Sequence, residues 1–467
     1  MFKKLTMNKQ HFYDFKKQWM SALNLRVASI VIFAVVQFGI TACNTEPRKD
    51  NTIPNDKSYS NYPPELISFI REDCQLYNSA ERKSETYVEV DQLAYYDNIQ
   101  ILKKQILKDS CLFLAVIKTD AYGNGIEHLA KVAEYAGVDY LGITENSEIL
   151  KLRSLAIKLP ILRLRLASLK ELSTVHTNIQ SFGEVEEMVG NLSMCRNISI
   201  IAEEQNRIIN VHLSLNSGRM SRDGFDMRYP GIKDSIIPIF KLKNIRIRGI
   251  MTHFANSDTD SLENLRNLVA EFKTDAEWII KTGELKRKDI LLHAAASAMA
   301  VRVPESQFDM VRPGTITYGV RTVKEAPEGL KPVMSLYSSI GQIMSYSKGN
   351  VVGYGSIHQL DKDSYLANLP IGWGNGLPRN TKYALIHGQR VKIVGRLSMN
   401  ATMLDITPIY DQVKKGDQVV FFGKQGNEEI TIDEICDSTG AGLNLIIQCD
   451  VGKINSAAKY PRKLIDK

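Results

Sequence analysis

The stretch "AVIKTDAYGNG", Ala115–Gly125, ends an apolar, β-branched run on a single lysine and follows it with a turn of small residues. A buried ammonium is costly unless something neutralises or uses it. Lys118 is therefore a candidate functional group at a strand end, and its surroundings decide what kind of strand carries it. From Tyr87 onward, short β-branched runs alternate with helical stretches, the pattern of βα units around a parallel sheet. The runs are "CLFLAVIK", "VDYLGIT", "LPILRL", "NIQSFG", "INVHLSL", "IRGIMTHF", "DILLHAA" and "FDMVRPG". Between them lie segments such as "IEHLAKVAEYAG", Ile126–Gly137, whose apolar residues recur at three and four and whose final glycine suits a C-cap. Eight such units in roughly 230 residues match the size of a (β/α)8 barrel.

After Tyr318 the texture changes. "LYSSIGQIMSY", "SYLANLPIGWG", "QRVKIVGRLSM", "TMLDIT" and "DQVVFFG" read as strands separated by Gly-, Asn- and Lys-rich turns. The expected architecture is an α/β chain, a (β/α)8 TIM-like barrel followed by a mainly-β C-terminal domain. Ahead of the barrel, "YVEVDQLAYYDNIQILKK" reads as a strand turning into an amphipathic helix. The expected divisions are 1–43, an export segment; 44–84, a tether; 85–325, the barrel; and 326–467, the β-rich domain.

The 467 residues are 44% hydrophobic and 24% charged, ordinary for a globular chain with room for two cores. Formal charge is +7, but residues 1–42 hold Lys3, Lys4, Lys9, Lys16, Lys17 and Arg26 against Asp14 alone. The remainder is close to neutral, which gives no electrostatic ground for nucleic-acid binding. "VASIVIFAVVQFGI", Val27–Ile40, is short for a membrane span and ends in small residues, as an export signal does. Directly after it, "ITAC", Ile40–Cys43, resembles the bacterial lipobox, whose cysteine is acylated and becomes the new N-terminus. Secretion without a lipid and an uncleaved anchor are the other two readings. The expected location is the periplasm or cell envelope, with membrane contact only through a lipid at Cys43. Polar residues 44–64 have too few apolar side chains to fold alone.

Six cysteines are too few for a disulfide scaffold in a chain of this length, and no pair has metal-ligand spacing. In an exported protein one bridge is admissible. Cys74–Cys111 is the candidate, because Cys74 precedes the barrel and Cys111 opens its first strand; the equal alternative leaves all five remaining thiols unbridged.

In a (β/α)8 barrel the chemistry sits at the C-terminal ends of the strands. Lys118 closes the first run, His212 lies in the fifth, His253 closes the sixth, His293 ends the seventh and Arg312 closes the eighth. A lone rim histidine is usually structural, but here several strands agree on one mouth. Three histidines could hold a hydrolytic metal instead. The nearest carboxylates, Asp258 and Asp260, lie well past His253, and a lysine and an arginine share the same mouth. No metal is expected. "RPGT" and the helix start at Ser297 offer small residues and backbone N–H groups suited to a phosphate. A lysine, a phosphate cradle and Arg312 together describe a pocket for pyridoxal 5'-phosphate, which would hold Lys118 as a Schiff base.

Those residues also carry a family resemblance. "AVIKTDAYGNG" is similar to the cofactor-lysine signature of the alanine racemases, and the likeness runs from about Tyr87 to the C-terminus. Further matching stretches are "VHLSLNSGRMSRDG", "GIMTHFANSD", "LLHAAASA", "DMVRPGTITYG", "VGYGSIH", "LPIGWGNG" and "GRLSMNATMLDIT". The resemblance implies that Lys118 and Tyr354 are two catalytic bases on opposite faces of the substrate, as inversion at a carbon requires. It implies a supporting network of His253, Arg312 and His293, with Arg312 facing the cofactor's pyridine nitrogen. Arg222 matches the arginine beside the cofactor's phenolic oxygen and the substrate. Tyr122, Ser297, Gly314 and Thr315 match phosphate-binding positions, and Met399 matches a residue whose backbone N–H receives the substrate carboxylate. It also implies a homodimer in which Tyr354 and Met399 of one subunit complete the barrel site of the other.

Several positions depart from that pattern. Ser214 stands where many members have a lysine that becomes carbamylated. Asn375 and Asn400 replace aspartates, Trp373 a tyrosine at the entrance, and Ala296 an asparagine. Ser214 and the "SMN" run resemble the exported broad-specificity amino-acid racemases, which agrees with the export segment. A broad-specificity racemase of the cell envelope is the expectation. The alternatives are a strict alanine racemase supplying D-alanine for peptidoglycan, another reaction of the same cofactor, and a binding lipoprotein with impaired catalysis.

Overall fold

The computed structural model describes residues 59–79, 85–439 and 462–464. Cys43, the export run and residues 44–58 and 80–84 of the tether lie outside them; among the described residues no helix is long and apolar enough to cross a membrane. Strand β1 (Tyr87–Val90) leads into a helix (Gln92–Gln105), whose first turn is capped by the Asp91 carboxylate accepting the Ala94 N–H at 2.9 Å.

Parallel strands then follow: β2 (Leu112–Val116), β3 (Tyr140–Ile143), β4 (Ile161–Arg163), β5 (Glu186–Val189), β6 (Ile209–Leu215), β7 (Ile245–Thr252), β8 (Leu291–His293) and β9 (Met310–Val311). They pair in the order β8-β7-β6-β5-β4-β3-β2-β9. The remaining seam between β8 and β9 is closed by single bonds. Asp309 N–H donates to the Leu292 carbonyl at 2.9 Å and Arg312 N–H to the Ala295 carbonyl at 2.8 Å. Strands covered on both faces read as continuous apolar runs. Leu114, Val116, Tyr140, Leu162, Leu291 and Met310 pack together in one such buried layer.

The barrel is the one expected, except in the fourth unit. "NIQSFG" is no strand: Ile179–Phe182 is a short helical turn ended by Gly183 at φ 64°, and the strand is "EEMV", Glu186–Val189. Two adjacent glutamates look solvent-facing in sequence. In the fold both are paired. Glu187 takes Arg163 Nε at 2.9 Å and His176 Nε2 at 3.1 Å, and Arg163 also donates to Asn146 at 2.8 Å; Glu186 points to the opposite side, where His212 lies 2.7 Å away.

The second sheet is built from β10 (Met334–Ser339), β11 (Gln342–Tyr346), β14 (Ser364–Leu369), β15 (Tyr383–Ile386), β16 (Gln389–Ile393), β17 (Thr402–Asp405) and β18 (Gln418–Gln425), with β12 (Val351–Val352) and β13 (His358–Gln359) as a side hairpin. Strand β1 belongs to this sheet rather than to the barrel. It pairs antiparallel with β10 in the register Tyr87↔Tyr337, where the two rings stack at 5.1 Å. From β1 in the second sheet the chain thus passes through the barrel and returns to the β domain.

No disulfide joins Cys74 and Cys111, so the bridge is not formed. Cys111 sits at the N-terminal end of β2 with its sulfur 3.8 Å from the Gln307 carbonyl, and burial pushes its thiol up to about 11. Cys74 lies on the helix Pro64–Ser79, which packs against the helix Ile126–Tyr135.

Arg163 and Glu187 are both fully buried. Breaking such a pair strands a charge at a cost of about 3–5 kcal/mol. Glu187→Ala should therefore lose stability on that scale, read from urea unfolding, whereas loss of the exposed Arg266–Glu305 pair by Glu305→Ala should shift it by less than about 1 kcal/mol.

Candidate active site

Lys118 leaves β2 into an unusual turn. Thr119, Asp120, Ala121 and Tyr122 all have φ between 53° and 56°, a left-handed helical turn of four L-residues. Each costs about 1–2 kcal/mol relative to right-handed backbone. The buried Glu148 carboxylate offsets this by gathering backbone donors from the turn and from the loop after β3. Its Oε1 accepts the Thr119 and Asp120 N–H groups, and its Oε2 accepts those of Thr144 and Glu145 at 2.8 and 2.9 Å. Asp120 in turn accepts the Ile126 N–H at 2.9 Å, tying the turn to the following helix. The reversal brings Tyr122 against Gly314. A Cβ there would lie 2.6 Å from the phenolic oxygen, so a larger residue would push the ring aside.

Around that glycine the phosphate candidates converge. Ser297 Oγ accepts the Gly314 N–H at 3.0 Å and the Ile316 N–H at 3.5 Å, and it lies 2.9 Å from the Thr315 hydroxyl. Lys118, Tyr122, Ser297, Gly314 and Thr315 line one cavity of about 270 Å³, together with Arg222, Asp223, His253, Asp258, Ala296 and Arg312. An amine at one end, a cradle of small residues and N–H groups at the other, and a cavity of this size fit pyridoxal phosphate.

Arg312, just past β9, reaches across the seam to β8 and β7. Its guanidinium donates to the His293 carbonyl at 2.6 Å, to His293 Nδ1 at 3.0 Å and to the Thr252 carbonyl at 2.7 Å. Burial pulls it down to about 10, which still leaves it charged at neutral pH. A guanidinium only donates, so the tautomers follow from their partners. His293 Nδ1 must be bare, its Nε2–H then donates to His212 Nδ1 at 2.8 Å, and His212 Nε2–H donates to Glu186 at 2.7 Å. Burial works to raise the Glu186 carboxyl, but the hydrogen bonds from His212 and Asn210, with the nearby Arg248 charge, outweigh it and hold it down. Both rings spend their nitrogens within this relay, leaving neither one for a metal. Among the described residues no cluster of three or more His, Cys, Asp or Glu is arranged for a metal ion.

His253 stands at the rim without a hydrogen bond to Arg312. Burial first, then the charges of Arg312, Arg222 and Lys118, push it down to about 3, so it is a neutral imidazole. Ser214 is buried and donates to Asp223 Oδ1 at 3.1 Å, while Arg222 Nε donates to Asp223 Oδ2 at 2.9 Å. Glu148, Glu186 and Asp223 enter the site only through the tertiary structure; of the three, Glu186 alone stands at a strand end.

Tyr354 and Met399 are elsewhere. Both lie on the β domain, 70% and 54% exposed, and neither lines the cavity. Their loops form one cluster. The Tyr354 turn is bridged at Gly353 to Arg396, Trp373 N–H donates to the Ser398 carbonyl at 3.1 Å, and Gly374 N–H to the Met399 carbonyl at 2.8 Å. Asn400 donates to Asn375 at 3.1 Å, so the two positions that depart from aspartate meet as a neutral amide pair. The candidate residues thus fall into two groups, a barrel mouth and a β-domain face.

Profiles of the alanine racemase N-terminal and C-terminal domains match residues 90–322 and 333–455. The chain is 40% identical over 363 residues to a broad specificity amino-acid racemase of Pseudomonas taetrolens, covering 77% of this chain and 86% of the relative. It is 38% identical over 359 residues to a lysine racemase of Proteus mirabilis, covering 76% and 85%. Among solved structures, the alanine racemase of Clostridium difficile superposes with a TM-score of 0.73 at 28% identity, over 82% of this chain and 96% of that one. The chain belongs to the alanine racemase family, and its class is that of the pyridoxal phosphate-dependent racemases.

Sign and window of one pH effect follow from His293. Burial foremost, with Arg312 and His212, holds its folded pKa well below the ordinary value, so the unfolded chain binds a proton that the native chain refuses. Its contribution is full above about pH 6.5 and is lost below it at about 1.4 kcal/mol per pH unit. Stability measured by urea unfolding should fall as pH drops through that range, and His293→Gln should flatten the slope by that amount.

Proposed function

We propose that the chain is a broad-specificity amino-acid racemase of the cell envelope, working by two bases, Lys118 and the Tyr354 of a second subunit. The observation that carries this reading is the split of the candidate residues. The barrel mouth holds the lysine, the cradle and Arg312, while the tyrosine and the Met399 loop stand exposed on the β domain. A homodimer that sets one subunit's β-domain face over the other's barrel completes the site.

Bound pyridoxal phosphate supplies an electron sink that makes the α-proton of an amino acid removable. The chain's own residues then decide the outcome. Tyr122, Ser297, Gly314 and Thr315 would hold the phosphate. Arg312 would face the ring nitrogen, where a group that keeps its proton donates a hydrogen bond without protonating the ring. Arg312 would thereby keep the sink weak and favour return of the proton to the α-carbon. Lys118 moves the proton on one face and Tyr354 on the other, which inverts the centre. Neutral His253 beside Arg312 offers a hydrogen-bond partner and no further positive charge. Breadth of substrate is supported by the relatives named broad specificity and lysine racemase, and by the neutral Asn375–Asn400 pair where charge would otherwise stand near the entrance. Export, and a lipid at Cys43, rest on the sequence of residues 27–43.

Purified protein given L-alanine, L-lysine, L-arginine, L-methionine and L-serine should racemise several of them, followed by chiral chromatography; turnover of alanine alone returns the strict alanine racemase. Shared sites predict a second result. Lys118→Ala and Tyr354→Phe are each inactive, but co-refolded they should recover about one quarter of wild-type activity, because half the dimers are mixed and one of their two sites is intact. No recovery, with mixed dimers demonstrated, rejects the shared site.

A further inference from the structure

Asp223 is the carboxylate built most tightly into the cavity wall. Three cations, Lys118, Arg222 and Arg312, line the same cavity. Asp223 is nearly buried, its side chain 9% exposed against 55% for Arg222. One oxygen takes Arg222 Nε at 2.9 Å and the other takes the Ser214 hydroxyl at 3.1 Å. Spending Nε on Asp223 leaves both terminal nitrogens of Arg222 for the cavity.

The backbone is shaped to make this contact. The turn after β6 runs through Arg219 and Ser221 at φ 61° and 50°, and Gly224 at φ 91° folds it back onto the strand end. Phe225 N–H donates to the Ser214 carbonyl and Asn216 N–H to the Phe225 carbonyl, each at 2.8 Å. A Cβ on Gly224 would lie 2.7 Å from the Ser214 carbonyl oxygen and 2.9 Å from its Oγ. The missing side chain is what lets Ser214 reach Asp223. The negative charge is also felt beyond Arg222, since it works to raise both His253 and Arg312 against their burial.

We propose that Asp223, anchored by Ser214, is the internal anion that aims Arg222 into the cavity and balances its charge. This makes Asp223 a positioning residue for the racemase reading on which the proposal rests. A carboxylate supplied by the chain makes the site independent of anions in solution, and loss of its charge leaves the half-exposed Arg222 to take up a small anion instead.

The test uses Asp223→Asn, which keeps the shape and the bond from Ser214 but not the charge. In buffer free of small anions, kcat/KM of the variant holoenzyme should fall about tenfold, the equivalent of one pKa unit of charge interaction. Sodium formate should restore much of that loss through kcat/KM while leaving wild type unchanged. A second readout needs no turnover: formate should raise the melting temperature of apo Asp223→Asn but not of the apo wild type. Ser214→Ala, which keeps the charge, should lose activity without any response to formate. If Asp223→Asn folds only when formate is present, that also supports the anion. Wild-type behaviour, or a loss that formate leaves untouched in both readouts, overturns the proposal. A wild-type protein that racemises no amino acid overturns the functional reading instead, while the melting experiment still reports on Asp223.

Discussion

Arg312 is a cation buried at the closing seam of a parallel barrel, and keeping it there organises the site. Backbone carbonyls of Thr252 and His293 hold it from two neighbouring strands, so the same side chain stitches β7, β8 and the end of β9. Its remaining bond, to His293, starts a relay through His212 that ends on the Glu186 carboxylate. Each member can donate in one direction only, which fixes both ring tautomers and leaves the positive charge at the mouth and the negative charge deep in the wall. A group lining the cavity with a permanent proton is the outcome.

Charge and strain are balanced locally at the other positions too. Four left-handed residues after Lys118 are supported by one carboxylate, Glu148, which takes the Thr119 and Asp120 N–H groups of the turn and ties them to the loop after β3. Arg222 is aimed by Asp223 through a turn that needs Gly224. In each case a carboxylate contributed from a different part of the fold makes a costly conformation or charge stable, and the cavity inherits its shape from those supports.

Much of this was legible from residue order. Lys118, His293 and Arg312 announce themselves because polar side chains ending apolar runs must converge at one end of a barrel. Ser297 and Gly314 do so because small residues with open N–H groups suit an anion. The fourth strand was not legible. "EEMV" looks like surface until His212, Arg163 and His176 are seen to neutralise its glutamates, and "NIQSFG" looks like a strand until the preceding helix claims it. The membership of β1 in the second sheet was equally hidden, since its partner β10 lies more than two hundred residues away.

Sequence alone determined the alternation of strands and helices, the change to β texture after Tyr318 and the chemical kinds of side chain at each strand end. These depend on local pattern, which neighbouring residues carry in full. Only the tertiary structure decided which carboxylates support those side chains, and that Tyr354 and Met399 stand on a face apart from Lys118. Such pairings join residues distant along the chain, and a hydrogen bond or a buried charge has meaning only once its partner's position in space is fixed.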